Sequence, residues 1–390
     1  MYTVRDYSCV GAVPSALWRR CGGELSPFTS HGFLCALEAS GCLDNTSGWR
    51  SRPLLIYHGT PPVLKACVPF YLKAHSQGEF VFDHAWAHAA HQAGIAYYPK
   101  GLVASPFTPV AGNRLLLAEA CQPHEVAPIL RCLADFSASR VSSLHLTFLP
   151  PEQAREAENS GYLTRLGIQF HWYRRDDTCF DDFLARLPSR KRKAIKKERE
   201  KAHNHGLRIA MESPASLTDE DWRRFYAFYR KTIDDHGSYA YLTAQLFPLL
   251  AETMPERILM ATARDNKGVL QAGALHVRDG KRLYGRYWGC ARHCAFVHFE
   301  LCYYQAIAYA IEHGLDAVEA GAQGGHKLLR GYEPTLTYSS HMMHHEGLHR
   351  AVKAFLQEET RAIRQTHKSL HQQYTKTKDT VKATPRSPKR

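Results

Sequence analysis

The chain has 390 residues, of which 44% are hydrophobic and 22% are charged, and its formal net charge at pH 7 is +13. This length suits two domains, and the composition excludes a largely disordered or collagen-like protein. The N-terminus lacks the basic stretch and apolar run of a secretory signal, and the most apolar helix candidate, at residues 301–311, is too short and too polar to span a bilayer. We therefore expect a soluble, cytoplasmic protein without a transmembrane segment.

Two stretches of the chain predict the same series of elements. Each begins with two apolar runs joined by a turn, which indicates a hairpin, and continues with a strand, a long helix and a closing strand. In the first stretch these elements lie at residues 54–57, 63–70, 79–83, 124–137 and 144–148. In the second stretch they lie at residues 258–261, 269–276, 282–288, 297–313 and 315–319. The repeated order predicts a mixed sheet flanked by helices, present twice in tandem.

The segment between the two stretches is mainly helical. Residues 190–201 form a predicted helix with almost no apolar stripe, so most of it faces water or a partner. Further elements are predicted at residues 180–187 (helix), 207–211 (strand), 219–234 (helix) and 346–367 (helix). The expected domains are residues 1–165, residues 166–365 with the basic helix 190–201, and a mobile basic tail at residues 366–390.

Positive charge is concentrated in two segments. Residues 186–208 and residues 361–390 each carry a net charge of +8. Localised positive charge predicts a polyanionic partner such as tRNA, a nucleotide-linked substrate or a membrane surface. The alternative is a solvated helix face and a disordered tail. The eleven cysteines include no C-x-x-C pair, and we expect them to be reduced.

Several runs of residues, in order over residues 1–365, resemble the FemAB-like family of the GNAT (N-acyltransferase) clan. They are residues 30–34, 69–79, 82–83 and 106–109 in the first half, and 170–172, 189–193, 284–289, 298–305 and 319–323 in the second. The resemblance implies an α/β fold of two tandem GNAT-like domains, each a mixed, mostly antiparallel sheet flanked by helices, with the active site in a cleft between them. It also implies an acyltransferase, because Fem enzymes transfer an amino acid from aminoacyl-tRNA to a peptidoglycan precursor.

Two departures from the family pattern bear on the donor. The family has Glu where Gly325 stands, so no role of that carboxylate carries over. The loop at residues 290–297 contains no glycine, whereas GNAT proteins that use CoA hold its pyrophosphate with a glycine-rich loop at a helix N-terminus. This loop disfavours a CoA donor and favours aminoacyl-tRNA, and we expect no tightly bound cofactor.

Acyl transfer to an amine needs a group that takes the amine proton and donors for the developing oxyanion. Polar residues cluster at the strand ends of the second repeat, where ligands of open α/β sheets bind. The predicted catalytic residues are His298, Glu300, Glu319 and His326. The predicted substrate-binding residues are Asp83, Arg286, Gln323, Lys327, Arg330 and Tyr332. The predicted nucleic-acid-binding residues are Arg190, Lys191, Arg192, Lys193, Lys196 and Lys197. Ordinary structural roles, such as helix capping for Glu300 and a buried ion pair for Arg286, remain open, and no metal site is expected.

We therefore expect an N-acyltransferase that moves an aminoacyl group to an amine of a small molecule or peptide, such as a peptidoglycan-type substrate. Its co-substrate is aminoacyl-tRNA or an acyl-CoA. One alternative is an acyl-CoA-dependent N-acetyltransferase of a small molecule. The other is a non-catalytic binding protein with a degenerate pair of GNAT domains.

Overall fold

A computed structural model of the protein describes residues 1–44, 46–321 and 324–382. Its strands are β1 (Tyr2–Asp6), β2 (Trp49–Ser51), β3 (Leu54–His58), β4 (Val63–Val68), β5 (Phe70–Lys73), β6 (Lys100–Val103), β7 (Leu116–Leu117), β8 (Ser143–Leu149), β9 (Leu163–Tyr173), β10 (Arg208–Glu212), β11 (Ile258–Arg264), β12 (Leu270–Arg278), β13 (Arg282–Cys290), β14 (Ala317–Glu319) and β15 (Glu333–Met343).

The helices are α1 (Ser15–Arg20), α2 (His31–Ala39), α3 (His84–Gln92), α4 (Val126–Ala138), α5 (Pro151–Asn159), α6 (Phe180–Ala185), α7 (Ser189–His203), α8 (Asp219–Asp235), α9 (Leu246–Thr253), α10 (Val297–Phe299), α11 (Gln305–Glu312) and α12 (Glu346–Lys382). A π-helical segment, Glu300–Tyr304, joins α10 to α11. Within these described ranges, no helix combines the length and the apolar character that crossing a bilayer requires.

The chain forms two compact units. Unit 1 consists of Met1–Gly167, Tyr241–Thr253 and Leu336–Ile363, and unit 2 consists of Ile168–Ala240, Met254–Thr335 and Arg364–Arg390. The domain limits expected from the sequence stay a prediction. The compact units differ from them because two later segments of the chain belong with residues 1–167.

Unit 1 contains two sheets. One has the strand order β1-β3-β4-β7, and the other has the order β15-β8-β6-β5-β2. Helix α4 buries Ile129, Leu130 and Leu133 against strand residues that include Val68 and Leu146. These leucine and isoleucine positions recur at helical spacing, so one face of α4 is apolar and covers the sheet.

Unit 2 is built on a sheet with the strand order β10-β11-β12-β13-β14-β9. Its core lies under the helical run from α10 to α11, where Tyr304, Ile307 and Ala310 pack with Trp172 of β9 and Val318 of β14. The strand residues that pack into this core are hydrophobic, as expected for a sheet face that helices cover. They are Phe170, Trp172, Leu259, Leu283 and Val318.

Both units contain the same local strand pattern. In unit 2, β12 pairs antiparallel with β13, β13 pairs parallel with β14, and β14 pairs antiparallel with β9. In unit 1, β5, β6, β8 and β15 repeat the sequence antiparallel, parallel, antiparallel. A helix connects the two parallel strands in each unit. This pattern confirms the predicted fold class, a mixed α/β protein with helix-flanked sheets.

Two sequence predictions about the first repeat were wrong in detail. Residues 79–83 form no strand, because Phe80 adopts a left-handed backbone with φ of 59°. The apolar run at residues 63–70 divides into β4 and β5 at Pro69, and these strands enter different sheets. Proline has no N–H to give to a strand ladder, whereas the matching run in unit 2 has no proline and β12 continues through it.

The last predicted helix extends further than expected. Its end was placed at residue 367, and the structure continues α12 to Lys382. The predicted tail at 366–390 therefore begins within a helix, and residues 383–390 lie outside the described residues. Residues 368–382 contain no Pro or Gly, so no helix-breaking residue ends α12 before Lys382.

Candidate active site

The site is built around the place where β13 and β14 separate. These parallel strands pair at Arg282–Tyr284 and Ala317–Glu319, and β13 then continues to Cys290 along β12. A pocket of about 140 Å³, here called the small pocket, lies at this point. It is lined by Ala274, Leu275, His276, Gly285, Arg286, Tyr287, Trp288, His298, Cys302, Tyr303 and Ala320. Ligands of α/β sheets bind beyond the carboxyl ends of parallel strands, and the small pocket occupies that position.

A second cavity adjoins the first through two shared residues, Trp288 and His298. This large cavity has a volume of about 630 Å³. It is lined by Leu207, Thr232, His236, Gln271, Ala272, Cys290, Arg292, His293, Cys294, Ala295, Phe296, Val297 and Phe299 in addition to the two shared residues. Most of these side chains are apolar or aromatic, and Arg292 and His293 are exposed. The two cavities are therefore neighbours that share Trp288 and His298 in their walls, and the volume of the large cavity is that of a ligand site.

His298 is the predicted catalytic residue that lines both cavities. Its ring lies 5.0 Å from that of Trp288 and 5.6 Å from that of Tyr303. Burial lowers the pKa of His298 to about 4, and nearby cationic or ionisable side chains, foremost His326, act in the same direction. At neutral pH this imidazole is uncharged, so one ring nitrogen retains a lone pair.

His276 is a second histidine of the small pocket, and the sequence did not single it out. Its side chain is 1% exposed. Nε2 lies 3.2 Å from the carbonyl oxygen of Leu301 in the π-helical segment, and a carbonyl only accepts. Nε2 therefore carries the hydrogen, and Nδ1 carries the lone pair. Nδ1 has no hydrogen-bond partner within the described part of the chain.

Glu300 is fully buried and neutralised by neighbours. Its carboxylate accepts hydrogen bonds from Nε of Arg199 at 3.1 Å, Nη2 of Arg199 at 3.0 Å and Nε2 of Gln305 at 2.8 Å. Nε2 of His203 lies 3.4 Å away. The sequence named Glu300 as a catalytic candidate, and these contacts give it the geometry of a counter-ion to α7. Its catalytic role stays a prediction.

Arg330, His326 and Tyr332 converge on aromatic residues of the helical run. The guanidinium of Arg330 lies 3.5 Å from the centroid of the Phe299 ring and donates to both carboxylate oxygens of Glu198 at 2.9 Å. Nε2 of His326 lies 3.0 Å from the hydroxyl of Tyr303. The ring of Tyr303 lies 5.6 Å from that of the fully buried Tyr332. Three of the predicted residues thus meet beside the small pocket.

Lys327 and Glu319 lie near the strand end. Burial lowers the pKa of Lys327 to about 8, and its ammonium group donates to the carbonyl of Gly321 at 3.0 Å. Glu319 is 3% exposed, accepts a hydrogen bond from Nη1 of Arg282 at 2.7 Å and lies 3.7 Å from Nε2 of His171. The predicted ligand Gln323 lies outside the described residues.

Two predicted substrate-binding residues have different surroundings. Arg286 lines the small pocket, with its guanidinium 5.2 Å from the centroid of the Tyr287 ring. Asp83 lies in unit 1, is 2% exposed and forms an ion pair with Lys100 and a hydrogen bond with the hydroxyl of Tyr97 at 2.6 Å. A buried lysine holds the carboxylate of Asp83, and its substrate-binding role stays a prediction.

The basic helix α7 has one face on unit 2 and one face in solvent. Ile195 and Ala202 are buried, and Lys191 donates to the carbonyl of Leu328 at 3.1 Å. Lys191 and Arg192 are half-buried, and the exposed predicted residues are Arg190, Lys193, Lys196 and Lys197. Across residues 1–44, 46–321 and 324–382, no three His, Cys, Asp or Glu side chains converge in a metal-binding group.

The parallel strands β13 and β14 thus separate beside the small pocket and are joined by the helical run from α10 to α11. The sequence matches the FemAB-like family model, described as peptidoglycan biosynthesis/recognition, over residues 9–377. Because this match covers most of the chain, the protein belongs to the FemAB-like family. A search of curated proteins found no match.

Several solved structures are similar to this chain. FemX matches with a TM-score of 0.50 and 11% identity, over 79% of this chain and 92% of FemX. L-PGS from Bacillus licheniformis matches with a TM-score of 0.47 and 9% identity, over 83% of this chain and 96% of that chain. A tandem GNAT protein from the clavulanic acid biosynthesis pathway has a TM-score of 0.45 and 9% identity, over 88% of this chain and 99% of that chain. At these identities, the similarity to FemX bears on the fold alone.

Proposed function

We propose that this protein transfers an aminoacyl group from aminoacyl-tRNA to an amine of a peptidoglycan-type acceptor in the cytoplasm. The observation that carries the proposal is the small pocket at the separation of β13 and β14, which shares Trp288 and His298 with the large cavity. The small pocket suits the reacting carbonyl, and the large cavity suits the part of the donor that carries it. The family description supports the acceptor class.

The chemistry needs no covalent enzyme intermediate, because an aminoacyl ester is already activated. The amine nitrogen attacks the ester carbonyl, the C–O bond to the donor breaks, and a proton leaves the nitrogen for the departing oxygen. Strand β13 lines the small pocket at Gly285, Arg286 and Tyr287, and strand N–H groups or the Arg286 guanidinium can donate to the developing oxyanion. His298 is neutral at pH 7 and is the candidate that relays the proton, with His326 beside it.

Glu300 and Glu319 support this reaction through electrostatics in our proposal. Each carboxylate is buried against an arginine, Arg199 for Glu300 and Arg282 for Glu319. Such pairs orient neighbouring groups without exposing a base to substrate. Lys327 adds positive charge near the strand end and suits an anionic acceptor, whereas Glu198 already neutralises Arg330.

Two features favour a tRNA donor over CoA. The exposed cations Arg190, Lys193, Lys196 and Lys197 on α7 suit a phosphate backbone. In the loop that precedes α10, the N–H of Val297 already donates to the carbonyl of Cys294 at 3.2 Å, and Phe296 takes a left-handed conformation without being glycine. These contacts leave less backbone N–H for a pyrophosphate than a glycine-rich loop offers. The predicted site in a cleft between domains stays a prediction.

The proposal is tested by incubating the protein with charged tRNA and an amine-bearing peptidoglycan precursor, and separately with labelled acetyl-CoA and the same acceptor. We expect label transfer from the tRNA and none from CoA, and His298→Ala should reduce transfer about 10²-fold or more while the protein stays folded. Transfer from acetyl-CoA alone would identify the N-acetyltransferase alternative. Binding of the precursor without transfer from either donor would identify a non-catalytic protein.

A further inference from the structure

We infer that Nδ1 of His276 accepts a hydrogen bond from an N–H group of the substrate in the small pocket, which makes this pocket selective for a nitrogen-bearing ligand. The identity of that nitrogen rests on the proposed function. It is either the α-amino group of the aminoacyl donor or the attacking amine of the acceptor.

The ring of His276 points its Nδ1 toward strand β13. His276 lies on β12 opposite Gly285 of β13, at the point where the register of the two strands shifts. A Cβ atom placed on Gly285 would lie 3.7 Å from Nδ1. The ring therefore presents Nδ1 to the backbone of β13 where that strand lines the small pocket. Because residue 285 has no side chain, only the backbone of β13 lies against Nδ1 there.

Nδ1 of His276 holds a lone pair that is available to a donor. The bond from Nε2 to the Leu301 carbonyl determines the tautomer, so Nδ1 is an acceptor in the uncharged ring. Burial lowers the pKa of His276 to about 4, which keeps the ring uncharged at neutral pH. A buried acceptor without a partner is costly, and native proteins rarely keep one without a purpose.

Several other side chains of the small pocket carry hydrogen-bond donors. Arg286 and Trp288 carry donors and no acceptor. Burial raises the pKa of the Cys302 thiol and of the Tyr303 hydroxyl, so both stay protonated at neutral pH. The pocket thus contains donor groups and, at His276 and the uncharged His298, acceptors for an N–H. An α-aminoacyl group has both a carbonyl oxygen and an N–H, whereas an acetyl group has only the carbonyl.

The size of the pocket agrees with a small ligand group. A volume of about 140 Å³ corresponds to roughly four or five water molecules at ~30 Å³ each. An aminoacyl group with a short side chain displaces such waters and restores the hydrogen bond to Nδ1. A large aromatic acyl group does not fit without movement of the lining residues.

Binding can be tested without any assumption about turnover. The probes are alanine methyl ester, ethylamine and methyl propionate, added to protein labelled with ¹⁵N-histidine. The Nδ1 resonance of His276 is identified by its loss in His276→Gln. We expect it to move upfield with the two amine-bearing probes and to stay in place with methyl propionate. Equal shifts with all three probes, no shift with either amine, or a protonated Nδ1 in the free protein would overturn the inference.

Two variants separate this role from a structural one. His276→Gln places an amide N–H near Nε2, where it still donates to Leu301, and removes the acceptor at Nδ1. His276→Asn places an amide oxygen near Nδ1 and loses the bond to Leu301. We expect His276→Gln to bind alanine methyl ester roughly 10- to 100-fold more weakly and His276→Asn to retain most of the affinity. The reverse order would show a structural role. If His276→Asn does not fold, unchanged affinity in folded His276→Gln is sufficient to reject the inference.

Turnover with alanyl-tRNA and propionyl-tRNA then identifies the nitrogen. If the donor supplies it, propionyl-tRNA is a poor substrate of the wild type and His276→Gln adds no further loss. If the acceptor supplies it, the variant loses activity with both donors. Selective NMR shifts in a protein that transfers nothing from tRNA would refute the proposed function and leave the inference about His276 intact.

Discussion

The buried carboxylate of Glu300 offers a prediction whose size follows from its contacts. We expect Glu300→Ala to destabilise unit 2 because it leaves Arg199 without its counter-ion. Removing one partner of a buried pair costs about 3–5 kcal/mol. The Glu300 side chain is 0% exposed but that of Arg199 is 25% exposed, so water can partly solvate the remaining charge. We therefore expect a loss of stability at the lower end of this range, about 3 kcal/mol. For a folding unit of this size, that loss corresponds to a decrease in Tm of roughly 6–12 °C.

The assay is urea unfolding followed by circular dichroism, with Glu220→Ala as the matched control. Glu220 also pairs with arginines, at 3.1 Å from Arg223, but its side chain is 56% exposed. Exposed pairs contribute about 0–1 kcal/mol, so the control should lie close to the wild type. Glu300→Gln should cost less than Glu300→Ala, because its amide oxygen still accepts from Arg199 although the counter-charge is lost.

The same variants decide between a counter-ion and a catalytic base. A counter-ion predicts that Glu300→Gln keeps its turnover within about tenfold of the wild type. A general base predicts a loss of about 10²–10⁴ in kcat with little change in stability. Destabilisation of Glu300→Ala no greater than that of Glu220→Ala would show that the buried pair contributes nothing, and our reading of the Arg199 contact would be incorrect.

Three further predictions concern the surrounding site. Gly325→Glu should fold with a free energy of unfolding within about 0.5 kcal/mol of the wild type, since a Cβ at this position meets nothing within 4 Å; thermal unfolding checks it. Neutralising the exposed cations of α7 with Arg190→Gln, Lys193→Gln, Lys196→Gln and Lys197→Gln should weaken tRNA binding and reduce the slope of log K against log salt by up to about 3; filter binding across a salt series checks it. The free energy of unfolding of the wild type, relative to that of Lys327→Met, should rise by up to about 1.4 kcal/mol per pH unit as the pH increases above 8. Urea unfolding between pH 7 and pH 10 checks this difference.

The sign of the Lys327 effect follows from its lowered pKa. The folded state loses the proton near pH 8 and the unfolded state only near the ordinary lysine value. Between these values the unfolded state binds more protons, so the free energy of unfolding increases with pH. If the difference in free energy of unfolding between the wild type and Lys327→Met did not change over this range, the burial of a charged ammonium would be contradicted.

For the α7 variant, the control is Arg223→Gln with Lys231→Gln on α8. Equal losses of tRNA affinity in both variants would indicate general charge attraction. A large destabilisation by Gly325→Glu would mean that the turn before Lys327 is more tightly packed than the structure shows.

Several elements followed from the sequence alone. The apolar spacing of residues 219–234 predicts a helix, and α8 spans Asp219–Asp235. The repeated order of strands and helices predicts the mixed sheets, and the family resemblance is confirmed by the match over residues 9–377. Such features are local, because helical and strand periodicity depend on neighbours in the chain. Residues 79–83 are an exception, because an alternating hydrophobic pattern does not predict the left-handed backbone conformation of Phe80.

The site itself required the tertiary structure. Sequence spacing placed His298, Arg286 and His326 near one strand end, and all three lie at or beside the small pocket. It also grouped them with Asp83, which the fold buries against Lys100 in unit 1. His276 was missed because a histidine within an apolar strand has the same pattern as an ordinary core residue. A polar residue amid apolar neighbours is the weak signal that was available.

The sequence by itself determined the element types, the repeat, the family and the position of the positive charge, because each depends on residue identity and short-range spacing. Tertiary structure alone decided which carboxylates are neutralised and which lone pair is left for a ligand. Glu300 meets Arg199 across 101 residues of sequence, and the tautomer of His276 depends on a carbonyl 25 residues away. The balance between burial and pairing is a property of those distant contacts, and it determines which polar groups of this fold can act on a substrate.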